Sequence, residues 1–340
     1  MDIFTLILSF TLEKYKNLLM LSSSHILITG ANGFVGRHLC SAILKADAKL
    51  TQLVLSNEPS NNTKKIQTVV DLTNRHRVAE IFSALQPDYV IHLAGDKNRN
   101  DIGAQFRDSY ERNLSISLNV IEACLGLPKF KRLIFLGSCD EYGHESSPFD
   151  EMQREIPANA YGLSKLAVTK ILSGLYQSRQ FPSIVLRPTV IYGPNQGEEM
   201  FLSALIQSLL AQKDFAMTYG EQYRDFVYIV DVVDAIVKSL TADSQVNGAV
   251  INIGAGSSWQ VKNIATLVAN SIHQDANNHL KFGVVPYRPA EMMNYAVNIG
   301  RAGQLLGWKP TTKLEQGLQQ TISHFRAQVD APMTIVGAHD

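Results

Sequence analysis

Three side chains, Ser138, Tyr161 and Lys165, have the types and spacing needed to move a proton to or from a substrate oxygen. Tyr161 and Lys165 are four residues apart, so they share one face if the segment is helical. A tyrosine has an ordinary pKa of about 10, and a neighbouring ammonium lowers that pKa toward neutrality. Ser138 follows a predicted strand, where its hydroxyl could bind the same substrate oxygen. A tyrosine and a lysine at this spacing are more often two exposed helix residues, and a serine after a strand is more often part of a turn. The occurrence of all three together favours a catalytic role.

A glycine-rich segment near the start of the chain could hold a phosphate group. Residues 29–36 read TGANGFVG and lie between a predicted strand and a predicted helix. Glycines allow the backbone to approach a pyrophosphate, and the N-terminus of the helix offers free N–H groups and a favourable dipole. We therefore predict a dinucleotide site, the alternative being a plain glycine-rich turn. Its predicted residues are Gly30, Asn32, Gly33, Phe34, Val35, Gly36 and Arg37.

The end of the second predicted strand bears on which dinucleotide binds. An acidic side chain about 20 residues beyond the glycines would bind the ribose of NAD, whereas an arginine favours NADP. The strand ends in Ser56-Asn57-Glu58, where Glu58 lies beyond the expected position and Arg37 could meet a 2′-phosphate. We expect NADP or NAD with NADP favoured, the alternative for Arg37 being a solvent-exposed helix residue. Further cofactor contacts are predicted after strands three and four, at Asp71, Leu72, Leu93, Ala94 and Gly95.

Alternating strands and helices must position these groups. The predicted strands are His25–Thr29, Leu50–Leu55, 69–70, Tyr89–Leu93, Arg132–Leu136 and Ser183–Arg187. The predicted helices are Phe34–Lys45, Arg75–Leu85, Ser109–Leu125 and Tyr161–Arg179. This alternation predicts an α/β fold built on a Rossmann-type, doubly wound parallel sheet. Beyond about residue 190 the alternation becomes irregular, with helices predicted over Met200–Gln212 and Asp231–Leu240 and a strand-like segment over Val250–Ile253, which indicates a smaller mixed α/β substrate lobe.

We divide the chain into four parts on this pattern. Residues 1–24 form an N-terminal extension, 25–190 a dinucleotide-binding Rossmann lobe, 191–326 mainly a substrate-binding lobe, and 327–340 a C-terminal tail. Within the extension, Asp2–Leu21 could form an amphipathic helix packed on the body or on a partner. Alternatively, Met20 could be the start of the chain and the residues before it spurious.

Composition narrows the class of protein. The 340 residues include 31 Lys plus Arg and 31 Asp plus Glu, so there is no basic excess and we expect no nucleic-acid partner. Hydrophobic residues make up 45%, which excludes a disordered chain. The three cysteines form no close pairs, so we expect no disulfide framework, no metal site and a reducing, cytoplasmic location. No apolar stretch reaches the roughly 18 residues of a membrane span.

Together the motifs resemble extended short-chain dehydrogenase/reductases of the NAD-dependent epimerase/dehydratase family. The resemblance covers about residues 25–325 and rests on TGANGFVG, HLAG, GSCDEYG, YGLSK, RPTVIYGP and GEQYRDFVYIVDVV. It implies an enzyme acting on a nucleotide-linked sugar held between two lobes, with Ser138, Tyr161 and Lys165 as the catalytic set. It also implies a homodimer formed through the helices near 113–126 and 161–178. Further implied cofactor residues are Asn113, Pro188 and Val190, and implied substrate residues are Ser138, Cys139, Asp140, Thr189, Arg224 and Arg288.

Epimerisation at C4, dehydration and 4-keto reduction share this scaffold. Related dehydratases carry an acid–base pair directly after the catalytic hydroxyl residue, where this chain has Cys139 and Asp140. Asp140 and Glu141 could equally be solvated loop charges. The segments GEQYRDFVYIVDVV, EYG and LLGWKP resemble 4-keto-6-deoxyhexose reductases, so we predict reduction of a nucleoside-diphosphate 4-keto-6-deoxyhexose with Tyr161 as the acid. The alternatives are a nucleotide-sugar 4-epimerase, a 4,6-type dehydratase or a non-catalytic NADP-sensing protein.

Overall fold

The computed structural model describes residues 19–45, 48–56, 65–96, 104–144, 146–288 and 291–330. Its longer strands are β1 (His25–Thr29), β2 (Lys49–Val54), β3 (Lys65–Val69), β4 (Tyr89–His92), β5 (Arg132–Leu136), β6 (Ser183–Pro188), β7 (Val190–Tyr192), β10 (Phe226–Tyr228) and β11 (Val250–Ile253). Two-residue strands are β8 (Phe215–Ala216), β9 (Tyr223–Arg224), β12 (Trp259–Gln260), β13 (Leu280–Lys281) and β14 (Asn294–Tyr295). The helices are α1 (Phe34–Leu44), α2 (Arg75–Leu85), α3 (Ala104–Leu125), α4 (Ala160–Arg179), α5 (Phe201–Leu210), α6 (Ile229–Thr241), α7 (Val261–Ile272), α8 (Gly300–Leu306) and α9 (Leu314–Asp330).

A seven-stranded sheet in the order β11-β6-β5-β4-β1-β2-β3 lies at the centre of the molecule. All of its neighbouring strands are parallel, and β1 pairs with both β2 and β4. The direction of winding therefore reverses between β1 and β4. Such a switch point opens a crevice at the carboxyl ends of the strands, where ligands of doubly wound folds bind. The predicted Rossmann-type sheet is confirmed.

Strand β1 is buried on both faces because its side chains enter two different cores. Ile26 and Ile28 pack into a core that includes side chains of α1 and α6, whereas Leu27 packs into a second core with side chains of α3 and α4. Successive side chains of a strand point to opposite faces, so a strand covered on both sides is apolar along its whole length. The helices of the described chain consequently cover the sheet on both sides.

The chain beyond residue 190 builds small sheets and also completes the large one. Strand β9 pairs with β12 and β14, β7 pairs with β10, and β8 pairs with β13. Strand β11 instead pairs in parallel with β6 at the edge of the large sheet. The region predicted to bind mainly substrate therefore also supplies a strand to the sheet of the predicted dinucleotide-binding lobe.

Several predicted element bounds are wrong. The third strand spans Lys65–Val69 rather than 69–70, because an edge strand tolerates the polar residues that hid it in the sequence. The helix predicted over Asp231–Leu240 spans Ile229–Thr241, because the apolar residues before Asp231 suit the first turn of a helix as well as a strand. Helix α9 continues to Asp330, so the first four residues of the predicted tail are helical.

Some predictions fall outside the described residues. These include Glu58, most of the N-terminal extension and residues 331–340 of the tail. Within the described ranges, no helix combines the length and apolar character that crossing a membrane requires.

Candidate functional site

The first two turns of α4 bring Tyr161 and Lys165 together. The helix begins after Asn159, whose side-chain oxygen accepts a hydrogen bond from the N–H of Gly162 at 2.8 Å. Lys165 Nζ lies 5.8 Å from the centre of the Tyr161 ring. A Cβ added at Gly162 would lie 2.4 Å from the carbonyl oxygen of Asp140, so glycine lets this helix end pack against the turn after β5.

Lys165 is buried at the carboxyl end of β5. Its Nζ donates a hydrogen bond of 2.8 Å to the carbonyl oxygen of Leu136 and lies 4.8 Å from the centre of the Phe135 ring. Burial lowers the pKa of Lys165 to about 8, a shift that the negative charge of Glu141 partly opposes. Near neutral pH the side chain is therefore mainly an ammonium, and it lies beside the Tyr161 ring.

Ser138 begins a short 3₁₀ turn over Cys139–Glu141. Its hydroxyl oxygen accepts a hydrogen bond from the N–H of Asp140 at 3.1 Å. A hydroxyl that accepts on one side keeps its own proton for donation, so Ser138 suits a donor role toward a substrate oxygen.

The acidic residues of this turn are buried. Glu141 is 0% exposed and Asp140 is 8% exposed, so the alternative of solvated loop charges is wrong. Glu141 pairs with Arg187 at 2.8 Å, and Arg187 pairs in turn with Glu155 at 2.9 Å. Glu141 and Glu155 are 46 and 32 positions away from Arg187 in the sequence. No local pattern therefore revealed that these three residues form one group.

Cys139 does not face the cleft. It is 0% exposed, and its thiol donates a hydrogen bond of 3.2 Å to the carbonyl oxygen of Arg187. Burial raises the pKa of this thiol well above its ordinary value. The geometry does not support the prediction that Cys139 contacts substrate.

The glycine loop after β1 packs directly on the segment after β4. Gly30 has φ +67°, and a Cβ there would lie 2.7 Å from the backbone nitrogen of Ala94. A Cβ at Gly36 would lie 2.4 Å from the carbonyl oxygen of Gly30. Helix α1 starts after Gly33, and no side chain caps its first N–H groups. A close backbone cradle with an uncapped helix N-terminus fits the pyrophosphate of a dinucleotide.

A series of buried hydrogen bonds connects β1, just before the glycine loop, to α3, and another joins α3 to α4. One ring nitrogen of His92 lies 2.7 Å from Thr29 Oγ1 and the other 2.9 Å from Ser117 Oγ. Burial, and secondarily the charge of Lys165, lowers the pKa of His92 to about 3, so the ring is neutral. Asn113 donates to Ser164 Oγ at 3.0 Å, and its side-chain oxygen accepts from the N–H of Asp96 at 2.6 Å.

The remaining predicted cofactor residues follow β1, β2, β3 and β4 or lie at or just after the end of β6. Asn32 donates to the carbonyl oxygen of exposed Ser56 at 3.2 Å, and Arg37 Nε donates to the carbonyl oxygen of Asn32 at 2.8 Å. Asp71 accepts hydrogen bonds from the backbone and side chain of Thr73, which lower the pKa of the Asp71 carboxyl. Phe34, Val35 and Leu93 are partly buried against the core that contains Ile26 and Ile28, and Ala94 is partly buried against the core that contains Leu27. Val190 contacts the first of these cores and also a smaller cluster that contains Cys139. Leu72 is buried, Pro188 ends β6, and Gly95 approaches Asn113 and Lys165.

The predicted substrate residues are only partly brought together. Tyr295 donates to Asp140 Oδ1 at 3.1 Å, and the Arg224 guanidinium carbon lies 5.7 Å from the centre of the Tyr295 ring. Arg224 also pairs with Glu291. These contacts form a path from Arg224 to the turn that carries Ser138.

Two other predicted substrate residues lie differently. Arg288 is exposed at the surface. Thr189 is buried and donates to Asp225 Oδ1 at 3.2 Å, so its hydroxyl is used inside the protein. Burial raises the pKa of Asp225 to about 6, and Asp225 also accepts from the N–H of Ala255 at 2.7 Å. This buried carboxylate was not predictable from the sequence, because its hydrogen-bond partners come from distant segments.

A model of the NAD dependent epimerase/dehydratase family matches residues 26–254. The chain belongs to this family. The resemblance to extended short-chain dehydrogenase/reductases is therefore confirmed, and the relatives include nucleotide-sugar epimerases and dehydratases.

Three comparisons illustrate the relationship. The chain is 29% identical to the uncharacterized UDP-glucose epimerase YtcB of Bacillus subtilis, over 88% of this chain and 97% of that protein. It is 24% identical to the CDP-abequose synthase of Salmonella muenchen, over 88% and 97% of the two chains. The structure of UDP-glucuronic acid 4-epimerase from Bacillus cereus, in complex with UDP-glucuronic acid and NAD, superposes with a TM-score of 0.80 at 25% identity, covering 89% and 99%.

Proposed function

We propose that this family member is an NAD(P)-dependent oxidoreductase that reduces a nucleoside-diphosphate 4-keto-6-deoxyhexose. The observation that carries the proposal is the joint placement of Ser138, Tyr161 and Lys165 at the carboxyl end of β5, beside the glycine cradle. The cradle around Gly30, the helix end after Gly33 and Lys165 would hold the dinucleotide. When bound, the dinucleotide supplies the hydride that reduces the keto carbon.

The chain's own residues handle the proton. Tyr161 gives its phenolic proton to the substrate oxygen as negative charge develops there, and solvent later restores it. The Lys165 ammonium stabilises the phenolate, which makes Tyr161 a competent acid near neutral pH. Ser138 donates a hydrogen bond to the same oxygen, so charge on that oxygen is stabilised from two sides.

Two features support reduction over the other family reactions. Dehydration needs a proton donor at position 139, but the Cys139 thiol is buried and directed to a backbone carbonyl. Epimerisation requires the keto sugar to turn over before the hydride returns to its other face. The segments GEQYRDFVYIVDVV and LLGWKP resemble 4-keto-6-deoxyhexose reductases, which favours reduction over this reaction.

The second candidate is 4-epimerisation. It is favoured by the 29% identity to an epimerase of Bacillus subtilis and by the similarity to a UDP-glucuronic acid 4-epimerase structure. The two reactions differ in stoichiometry, because epimerisation returns the hydride and leaves no net change in the cofactor.

The deciding experiment is a panel of nucleoside-diphosphate sugars and their 4-keto-6-deoxy forms, incubated with NADH or NADPH. We expect nicotinamide absorbance to fall and product mass to rise by two hydrogens with a 4-keto substrate. Tyr161→Phe should lower kcat at least about 100-fold, whereas Tyr176→Phe on the same helix should not. Conversion without net cofactor change would instead establish epimerisation, and loss of water from the product would establish dehydration.

We further propose a preference for NADP over NAD. Exposed Ser56 offers no negative charge at the end of β2, and Arg37 lies next to it through Asn32. Ser56→Asp should weaken NADPH binding and favour NADH, because the new carboxylate repels the 2′-phosphate. An unchanged ratio of the two dissociation constants would refute this assignment.

We also propose a cytoplasmic homodimer that pairs through α3 and α4. Leu114, Leu118, Leu166 and Ile171 on these helices are partly exposed, whereas Ile121 and Val168 are buried in the core under the sheet. Sedimentation of the purified chain should give twice the monomer mass, and Leu118→Glu should yield monomers. A monomeric wild-type chain would refute the pairing.

A further inference from the structure

Glu141 is a fully buried carboxylate that belongs to none of the groups expected to touch substrate or cofactor. It is 0% exposed and lies at the end of the short turn that Ser138 begins. A buried charge is costly unless its partners satisfy it, so a specific role is a better account than a tolerated surface charge. Its hydrogen-bond partners show what that role is.

Each carboxylate oxygen of Glu141 has a separate task. Oε1 accepts a hydrogen bond of 3.0 Å from the N–H of Ser138. Oε2 accepts from Arg187 Nε at 2.9 Å. Since both neighbours are donors, a neutral amide at this position would direct its own N–H groups against one of them.

The Ser138 contact completes a reciprocal capping arrangement. The hydroxyl of Ser138 accepts from the N–H of Asp140 while the Glu141 carboxylate accepts from the N–H of Ser138. This pair of bonds fixes the position of the serine and fills the acceptor side of its hydroxyl. The remaining hydroxyl proton is then free to be donated into the cleft.

The surrounding residues leave room for the carboxylate and hold it in place. A Cβ added at Gly137 would lie 2.3 Å from Glu141 Oε1, so the position before Ser138 accepts only glycine without displacing Glu141. Arg187 is itself 0% exposed and is held on its other side by Glu155 at 2.9 Å. Glu155 pairs with the surface residue Lys170, so this group runs from the protein surface to the serine.

We propose that Glu141 is a positioning residue that holds Ser138 as a hydrogen-bond donor toward the substrate oxygen. The inference rests on the proposed oxidoreductase function. It assigns no contact between Glu141 and substrate; Glu141 acts only through the serine and is anchored by Arg187.

The test is a double-mutant cycle with Ser138→Ala, read as kcat and KM separately. Glu141→Gln should lower kcat by about 10- to 100-fold, because it weakens one donor to the developing oxyanion. The KM for the sugar and the dissociation constant for the dinucleotide should change less than about threefold. In the Ser138→Ala background the same substitution should cost less than about threefold, because its route of action is gone.

Glu155→Gln is the matched control, since it also removes a carboxylate from Arg187 but does not touch Ser138. We expect its kcat to stay within about threefold of wild type. Equal losses in Glu141→Gln and Glu155→Gln, or a full loss from Glu141→Gln in the Ser138→Ala background, would overturn the proposal. Should Glu141→Gln fail to fold, Gly137→Ala provides the second variant, because it displaces the carboxylate without removing its charge.

A readout without substrate separates this inference from the proposed function. Glu141→Gln should speed amide hydrogen exchange at Ser138 by about tenfold relative to wild type, whereas Glu155→Gln should not. If the wild-type enzyme reduces no 4-keto sugar, the function fails and the exchange measurement still tests Glu141. If the enzyme is active but Ser138 exchange is unchanged, the positioning role alone is refuted.

Discussion

Replacing Lys165 by methionine should make the folded protein more stable near neutral pH while removing a member of the proposed catalytic set. Burial lowers the pKa of Lys165 to about 8, against about 10.4 in an unfolded chain. A shift of this size corresponds to a penalty of about 3 kcal/mol on the folded state when the lysine is charged. Loss of the hydrogen bond to the Leu136 carbonyl destabilises the variant by about 1 kcal/mol. We therefore expect Lys165→Met to raise the free energy of unfolding by about 2 kcal/mol at pH 7.

The sign of this effect should reverse with pH. Because the pKa is lower in the folded chain, the penalty is fully present below pH of about 8 and is lost as pH rises toward about 10.4. At pH 10.5 the penalty on the folded wild-type protein is largely gone. Lys165→Met should then be less stable than wild type by about 1 kcal/mol, because it lacks the hydrogen bond. Urea unfolding at both pH values, followed by fluorescence of buried Trp308, measures the difference.

Lys170→Met is the matched control for this experiment. Lys170 lies on the same helix, but its side chain is 60% exposed. Because an ion pair with an exposed lysine contributes about 1 kcal/mol at most, its substitution should change stability by no more than about 1 kcal/mol at either pH. A Lys165→Met protein that is less stable than wild type at pH 7, or a difference that does not vary with pH, would refute the reasoning.

Three further substitutions test the framework around the site. Gly30→Ala should lower the free energy of unfolding by about 1–3 kcal/mol and abolish dinucleotide binding measured by calorimetry, because φ is positive and the new Cβ meets Ala94. Retained binding would contradict the proposed role of the glycine loop. His92→Phe should cost about 2 kcal/mol at pH 7.5 but close to nothing at pH 5, because the unfolded histidine takes up a proton below about pH 6.5 whereas the folded ring stays neutral. Urea midpoints with equal losses at both pH values would contradict the neutral ring. Arg132→Lys should lower the free energy of unfolding by about 2–4 kcal/mol in the same assay, because one ammonium cannot replace a guanidinium that binds several carbonyls at the end of α6. A loss of stability below about 1 kcal/mol would contradict that role.

The parts of the site that depend on short-range spacing were predictable from the sequence. Tyr161 and Lys165 are one helical turn apart, and the Gly30–Gly36 loop joins a strand directly to a helix, so their geometry follows from local structure. The parallel arrangement of the large sheet followed from the alternation of strands and helices. Bounds were less predictable where apolar β-branched residues suit both strand and helix, as at the start of α6.

The polar groups that organise the site were not predictable in this way. Glu141 and Arg187 are 46 positions apart, and Asp140 and Tyr295 are 155 positions apart. No periodicity links such residues, and only the folded arrangement shows that they meet. The same distance in sequence hid the burial of Asp140 and Glu141, whose acidic character alone suggested a solvated loop.

The position of β11 has a consequence for how the chain can be made. Strand β6 ends at Pro188, but the neighbour that covers its outer edge, β11, begins only at Val250. During synthesis on the ribosome, the sheet therefore has an open edge until residues of the second half have emerged. An unpaired strand edge invites association with other chains, and closing it through a long loop is slow. Folding of the first half thus waits for translation of the second half, and the two halves could not be exchanged between proteins by a simple cut at residue 190.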